Sequence, residues 1–482
     1  MGERGVGNIS MSMDEEGPRR PLSAGQQALW LAHRLAPGSA AYTIVLPVRI
    51  RGPLRVEALG AAVEAVSSRH PLLRSRFGEA DGEPYRSEPC RGACAGAGGA
   101  LLVREVPGAG DAELAALVRE YAARPFRLAE EPPFLVVLLR RSEEDAVLVV
   151  SADHIVSDYA SQHLMLREIL DAHREFADAG RWAQPPAPYP YDDQVAEERL
   201  LLASPRGARA ERYWQQVRDG AGPAELPTDR PRPATPGFRG GTRDLEIPDG
   251  TARRLTATAG ALDSTPFAFL LGVFQAALYR WTGQGDGLIG CPMSTRVGQR
   301  TRDTVGYFVN PVPVRSAIGS ADTVADVVTA AQRQLIGGMA YAGYPCALLG
   351  ADRGGRHAPL FRIALTMITT DRQEPVLGPV GGTATEGPAV EYAGLRISRM
   401  ATPQQEGQLD LMVRIEQSEG ALNAAFSYDA DLFDADTVER FAGHFGTLLE
   451  KAAENPGATV ESISLVDQDA LARLLALGAG TV

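Results

Sequence analysis

Val147-Leu-Val-Val-Ser-Ala-Asp153-His154-Ile-Val-Ser-Asp158-Tyr159-Ala-Ser161 is the stretch on which the reading of this chain turns. An apolar run stops abruptly at Asp153-His154, a second carboxylate follows at Asp158, and a helical pattern begins after it. The run reads as a buried strand that delivers His154 to a loop at the start of a helix. Just upstream, residues 134–139 and 146–150 pair as strands around the polar turn 141–145, and downstream the helix continues over 159–176.

The same grammar extends in both directions. Ser23 caps a helix that carries Trp30 and His33. Residues 42–48 are β-branched and apolar and read as a strand, 54–66 as an amphipathic helix, and 69–77 as the lead into another strand. Residues 112–123 have a helical pattern, and the Gly/Ala/Cys run 90–100 has the composition of a surface loop. Residues 183–190 are dense in proline and read as a linker. Beyond it the alternation of helices and strands repeats. A helix contains Trp214, and an extended stretch covers 226–240. Thr265-Pro266 opens an apolar helix to Trp281, with proline in its first turn. Residues 287–296 and 305–315 read as extended, 324–339 as a helix and 361–369 as a strand. Residues 409–415 and 422–428 form a hairpin, and the last helix covers 436–452. The expected organisation is a tail over 1–20, one lobe over 21–182, a linker over 183–195, a second lobe over 196–455 and a linker-like tail over 456–482. The tail after Pro456 suggests continuation toward another module, whereas Met1 suggests a true start.

A chain of 482 residues exceeds one ordinary core, and 44% hydrophobic with 22% charged residues marks it as globular. The net charge of −12 argues against a nucleic-acid or anionic-membrane surface. No apolar run reaches the length of a membrane span and the N-terminus has no signal core, so a soluble, cytoplasmic and monomeric protein is expected. Cys90, Cys94, Cys291 and Cys346 read as free thiols, with no histidine placed to make Cys90 and Cys94 a zinc site.

His154 has no partner at metal-ligand spacing, since His163 falls inside the helix that follows. Two readings of His154 stand at this level. One is a structural histidine hydrogen-bonded at a lobe interface. The other is a general base, which suits a side chain that titrates near neutrality. No Gly-x-Ser-x-Gly or Cys-His nucleophile signature occurs, so the chemistry that fits a base is direct transfer of an acyl group from a thioester to an amine or hydroxyl. Asp158, at the helix start, reads as a cap or ion pair with Arg69 or Arg296 as partner.

Several ordered motifs resemble those of the condensation domains of nonribosomal peptide synthetases, over residues 22–470. Asp153-His154-Ile-Val-Ser-Asp158-Tyr159 is similar to that family's His-His-x-x-x-Asp-Gly. Ser23-Ala-Gly-Gln-Gln-Ala-Leu-Trp30 and Arg69-His70-Pro-Leu-Leu-Arg74 resemble its first two motifs. Tyr307-Phe-Val-Asn310-Pro-Val-Pro-Val-Arg315 resembles its Phe-Val-Asn-Thr…Arg motif, and Tyr344-Pro345 and His357-Ala-Pro-Leu-Phe361 its late ones. The resemblance implies an α/β (α+β) fold of two chloramphenicol acetyltransferase-like lobes in a V with a central tunnel. Donor and acceptor carrier proteins of neighbouring synthetase modules would present substrates on phosphopantetheine arms, with no cofactor or metal bound by the chain itself. His154 would be the catalytic group, with Asp153, Asp158, Tyr159, Ser161, Arg69 and Arg296 in support. Ser23, Tyr307, Asn310 and Gln408 are tunnel candidates, and residues around 370–410 would bridge the lobes.

Two departures carry consequences. Asp153 stands where the motif has its first histidine, and raises the pKa of His154 if the two side chains meet. Tyr159 stands in place of glycine, and either narrows the tunnel or supplies a hydroxyl. Asp153, Asp158 and Ser161 also fit the Asp-x-x-x-x-Asp-x-x-Ser of heterocyclisation domains. The expected activity is condensation to an amide or ester. The alternatives are a degenerate docking platform for carriers or tailoring enzymes, and a heterocyclase.

Overall fold

The computed structural model describes residues 16–89, 101–233, 237–350, 359–369, 386–403, 406–418 and 421–465. Cys90, Cys94, His357, the first fifteen residues, part of the bridging region and the end of the C-terminal tail lie outside the described residues. In chain order the first half contains β1 (Glu16–Pro21), α1 (Ala24–Leu35), β2 (Thr43–Arg51), α2 (Val56–Arg69), β3 (Arg76–Ala80), β4 (Glu83–Pro89), β5 (Leu101–Glu105), α3 (Asp111–Ala122), β6 (Phe134–Arg140), β7 (Asp145–Asp153) and α4 (Tyr159–Ala179). The second half contains α5 (Tyr191–Leu202), α6 (Pro205–Arg218), β8 (Gly240–Ile247), α7 (Asp249–Ala261), α8 (Pro266–Thr282), β9 (Asp286–Ser294), β10 (Val309–Ala317), α9 (Val324–Met339), β11 (Ile363–Thr369), β12 (Glu386–Tyr392), β13 (Leu395–Met400), β14 (Leu411–Ser418), β15 (Ala421–Asp429) and α10 (Ala435–Glu454).

Two six-stranded mixed sheets organise these elements, in the orders β12-β13-β2-β7-β6-β5 and β10-β9-β11-β14-β15-β8. β7 lies between β2 and β6 and is covered on both faces. Leu148 and Val150 face the core shared with α2 and α4, while Val147 and Val149 face the core built with α3. Burial on both faces is why this strand reads as an unbroken apolar run without polar alternation. α8 plays the same part in the second half. Every residue from Ala268 to Leu278 is buried, among α7, α9, α10 and the second sheet. Thr265 caps α8 by accepting from the Ala268 N–H, with proline in the first turn as anticipated.

The boundaries differ from expectation in three places. Residues 16–20, assigned to a tail, form β1 together with Pro21 and pair antiparallel with β4. The linker, expected over 183–195, closes at residue 190, and α5 begins at Tyr191. The C-terminal stretch is anchored beyond Pro456. Val460 and Ile463 are buried, and the Arg280 Nη1 donates to both of their carbonyls at 2.7 Å. A further feature is the path of β12 and β13. They belong to the second half by sequence, yet β13 pairs with β2 and completes the first sheet. Among the described residues no single helix is long and apolar enough to cross a membrane.

Candidate functional site

β7 ends at Asp153, and a turn carries the chain to α4. His154 sits on this turn, half-buried, with its backbone N–H given to the Tyr42 carbonyl at 2.8 Å. The loop is held from outside by Gln26 of α1, whose Nε2 donates to the Ile155 carbonyl at 2.8 Å. His154 Nδ1 lies 2.7 Å from the Ser157 carbonyl. A carbonyl only accepts, so the proton of the neutral ring is on Nδ1 and the Nε2 lone pair is free. The Tyr307 ring meets the imidazole edge-on, with centroids 5.0 Å apart. Burial lowers the pKa of His154, and the Ser157 bond and the Asp158 charge only partly oppose it. The ring is therefore neutral at pH 7 and its free nitrogen is basic.

Asp158 caps α4 and ties the two halves together. Its Oδ1 accepts from the Ser161 N–H at 2.7 Å and from Arg296 Nη2 at 2.8 Å. Its Oδ2 accepts from Arg296 at 3.1 Å and from the Phe308 N–H at 3.3 Å. Ser161 Oγ donates to the Gly306 carbonyl and accepts from the Gly306 N–H and Arg296. These bonds clamp the loop after β7 to the second half of the chain. Of its two expected partners Arg296 is the one it uses. Arg69 instead pairs with Glu168 at 3.1 Å and donates to the Pro185 and Pro186 carbonyls of the linker.

Asp153 points away from this constellation. Its Oδ1 accepts from the Ile155 N–H at 2.8 Å, and it is buried outside the cavity wall. The condition for a raised His154 pKa, contact between the two side chains, is not met: Asp153 is bonded to the Ile155 N–H, and burial lowers the His154 pKa. Asp153, Asp158 and Ser161 thus do not form one polar set around the cavity.

A cavity of about 1290 Å³ runs between the halves, walled by both. His154, Tyr159, Ser23, Tyr307, Asn310 and Gln408 all line it. Asn310 is fully used in bracing a loop, donating to the Ala342 and Tyr344 carbonyls at 2.7 Å and accepting from the Cys346 N–H at 2.9 Å. Gln408 donates across the halves to the Ala41 carbonyl. Ser23 caps α1 through a reciprocal bond pair with Gln26, and its hydroxyl lies 3.4 Å from Tyr191 Oη. Tyr191 Oη donates in turn to the Tyr307 carbonyl at 2.9 Å. α1 comes so close to Tyr307 that a Cβ on Gly25 would stand 2.6 Å from its ring. Cys346 also lines the cavity, yet burial pushes its thiol up to about 12, so no thiolate is available near neutrality. Sequence reasoning missed Gln26 and Tyr191. The first has a signal, its place three residues after a capping serine. Tyr191 has none, since only the fold brings it beneath Tyr307.

Comparison with known proteins follows the same line. The sequence profile of the Condensation domain family matches residues 19–475. The chain is 31% identical to the phosphinothricin tripeptide synthetase PhsB of Streptomyces viridochromogenes over 469 residues, which is 94% of this chain and 38% of that protein. It is 30% identical to one of the linear gramicidin synthase proteins of Brevibacillus parabrevis over 464 residues, 93% of this chain and 9% of that protein. The chain thus spans less than half the length of these relatives. Among solved structures, the X-domain from teicoplanin biosynthesis superposes with a TM-score of 0.80 at 24% identity, covering 95% of this chain and 99% of that one. The first condensation domain of the calcium-dependent antibiotic synthetase, in complex with a substrate analogue, gives 0.75 at 23% identity, covering 93% and 99%. These two likenesses concern the fold.

Proposed function

Because this chain belongs to the condensation-domain family, we propose that it joins a carrier-tethered acyl donor to an amine or hydroxyl acceptor, carrier-bound or free. The observation that carries this reading is His154, neutral, oriented by Ser157 and facing the cavity with Nε2 unprotonated. In the proposed step the acceptor nitrogen or oxygen attacks the thioester carbonyl carbon. Nε2 takes the nucleophile's proton as the new C–N or C–O bond forms, and the proton then passes to the sulfur as the C–S bond breaks. Asp158 and Arg296 hold the loop in place. The two substrates arrive on phosphopantetheine arms of carrier proteins, and the chain supplies mainly orientation and a base.

A second reading, a docking platform without transfer, draws support from Tyr159. Its side chain occupies the cavity wall where the family's motif has glycine. The two readings separate by intact-protein mass spectrometry of loaded donor and acceptor carriers. Condensation predicts product on the acceptor, a loss of about 10²–10⁴ in rate for His154→Ala, and an acid limb below the ordinary histidine pKa of about 6.5. That limb reflects protonation of Nε2 and lies low because burial lowers the His154 pKa. Carrier binding without any product, or a rate indifferent to His154→Ala, favours the platform. A heterocyclase reading draws no support from Asp153, which lies outside the cavity wall.

A further inference from the structure

Past Tyr159, β13 and β14 bring three charged side chains to the cavity wall. Arg399 lies on β13, and Arg414 and Glu416 lie on β14. Arg399 reaches Glu416 through Nη1 at 3.2 Å and Nη2 at 3.4 Å, and Arg414 reaches it through Nε at 3.1 Å. All three are largely buried, with side chains 11%, 18% and 12% exposed for Arg399, Arg414 and Glu416. Two guanidiniums therefore share one carboxylate. The terminal amino groups of Arg414 have no protein acceptor among the described residues, although the side chain lines the cavity. Asp244 on β8 also feels Arg414 and Glu416, but it lies outside the cavity wall. The Tyr159 hydroxyl, which feels the charges of Arg399, Glu416 and Arg414, is buried with no hydrogen-bond partner among the described residues.

The spare donors of Arg414 open into the cavity, and a buried hydroxyl without a partner is costly unless something completes it. The complement of both is a planar anion, which a guanidinium recognises through paired N–H donors. We propose that Arg414, Arg399 and Tyr159 form a subsite for a carboxylate carried on the acyl or aminoacyl chain of a substrate. Specificity for an acidic building block would thus be built beside the reacting centre. This rests on the reading of the cavity as the acyl-transfer chamber. Tyr159, Arg399 and Arg414 line the same cavity as His154. The phosphate of a carrier arm sits at the opposite end of the arm from its thiol.

The test is calorimetric binding to the whole chain of stable amide analogues of glutamyl-pantetheine and glutaminyl-pantetheine, with phosphopantetheine as the third probe. The acidic analogue binds about tenfold tighter or more than its amide twin. The preference disappears in Arg414→Gln, returns in Arg414→Lys and weakens several-fold in Tyr159→Phe. Phosphopantetheine affinity is indifferent to all three changes. Equal binding of the two analogues, no binding of the acidic one at millimolar concentration, or a preference that survives Arg414→Gln overturns the proposal. So does a phosphopantetheine affinity that falls with Arg414→Gln, which assigns the subsite to phosphate. A protein that shows the preference but makes no product refutes condensation and leaves the subsite standing.

Discussion

Asp153 shows how one residue can alter a familiar motif without entering its chemistry. Its carboxyl is buried beside Tyr42, and burial pushes its pKa up to about 7 even though the Ile155 N–H favours the charged form. The folded protein therefore holds a proton that the unfolded chain, with an ordinary pKa of about 3.9, releases. The stability that depends on this proton is fully present below about pH 4 and is lost as pH rises toward 7. Asp153→Asn keeps the acceptor oxygen and removes the charge. The variant should match the native protein at pH 4 and exceed it at pH 8 by on the order of 1–3 kcal/mol in urea unfolding. A variant no more stable than the native protein at pH 8 would mean that the Asp153 charge is compensated. Much at this scale was legible. His154 on a strand-end loop and Asp158 as a cap with an arginine partner follow from residue type and position. Whether Arg69 or Arg296 pairs with Asp158 was not legible, because the choice depends on where a residue 138 positions away is delivered.

At the scale of elements, α1 acts on the site through its backbone. Gly25 sits against the Tyr307 ring, and that ring sets the edge of the imidazole. Intrinsic helix preference alone predicts that Gly25→Ala stabilises by about 0.5–1 kcal/mol. The contact predicts the opposite, since the new Cβ must push Tyr307 toward His154. We expect a lower melting temperature and a loss of turnover larger than the loss of stability; a raised melting temperature with unchanged turnover would show that Tyr307 has room to yield. The capped apolar run of α8 and the alternating β14–β15 hairpin could be read directly. β1 could not. Its sequence, Glu-Gly-Pro-Arg-Arg-Pro, has no apolar alternation, and it is a strand only because β4 offers a partner. Local preference yields to tertiary pairing in such edge segments.

The molecule as a whole is held in one piece by contacts that local pattern does not encode. The crossing of β12 and β13 into the first sheet is the main one. It is pinned by Glu386, which accepts from Arg51 Nη2 at 2.8 Å, from Ser398 and, at 3.4 Å, from Arg49. Arg51 holds the Glu386 carboxyl below its ordinary range against the opposing effect of burial, so this anchor weakens as pH falls through the lowered pKa. The pair is partly exposed, and screening keeps its worth to about 1 kcal/mol or less. Glu386→Gln should accordingly speed amide exchange within residues 386–400 several-fold while leaving global melting nearly unchanged. Exchange that stays at the native rate would place the anchor elsewhere. This crossing also bears on how the protein is made. β13 reaches its register with Arg51 only through Arg396, so at ~5–20 residues per second the ribosome leaves the edge of β2 unpaired for roughly 20–70 s. A nascent first half waits that long with an open strand edge able to recruit other chains. Fragments cut at the boundary between the halves should precipitate, whereas supplying residues 386–400 as a separate peptide should rescue them in solution.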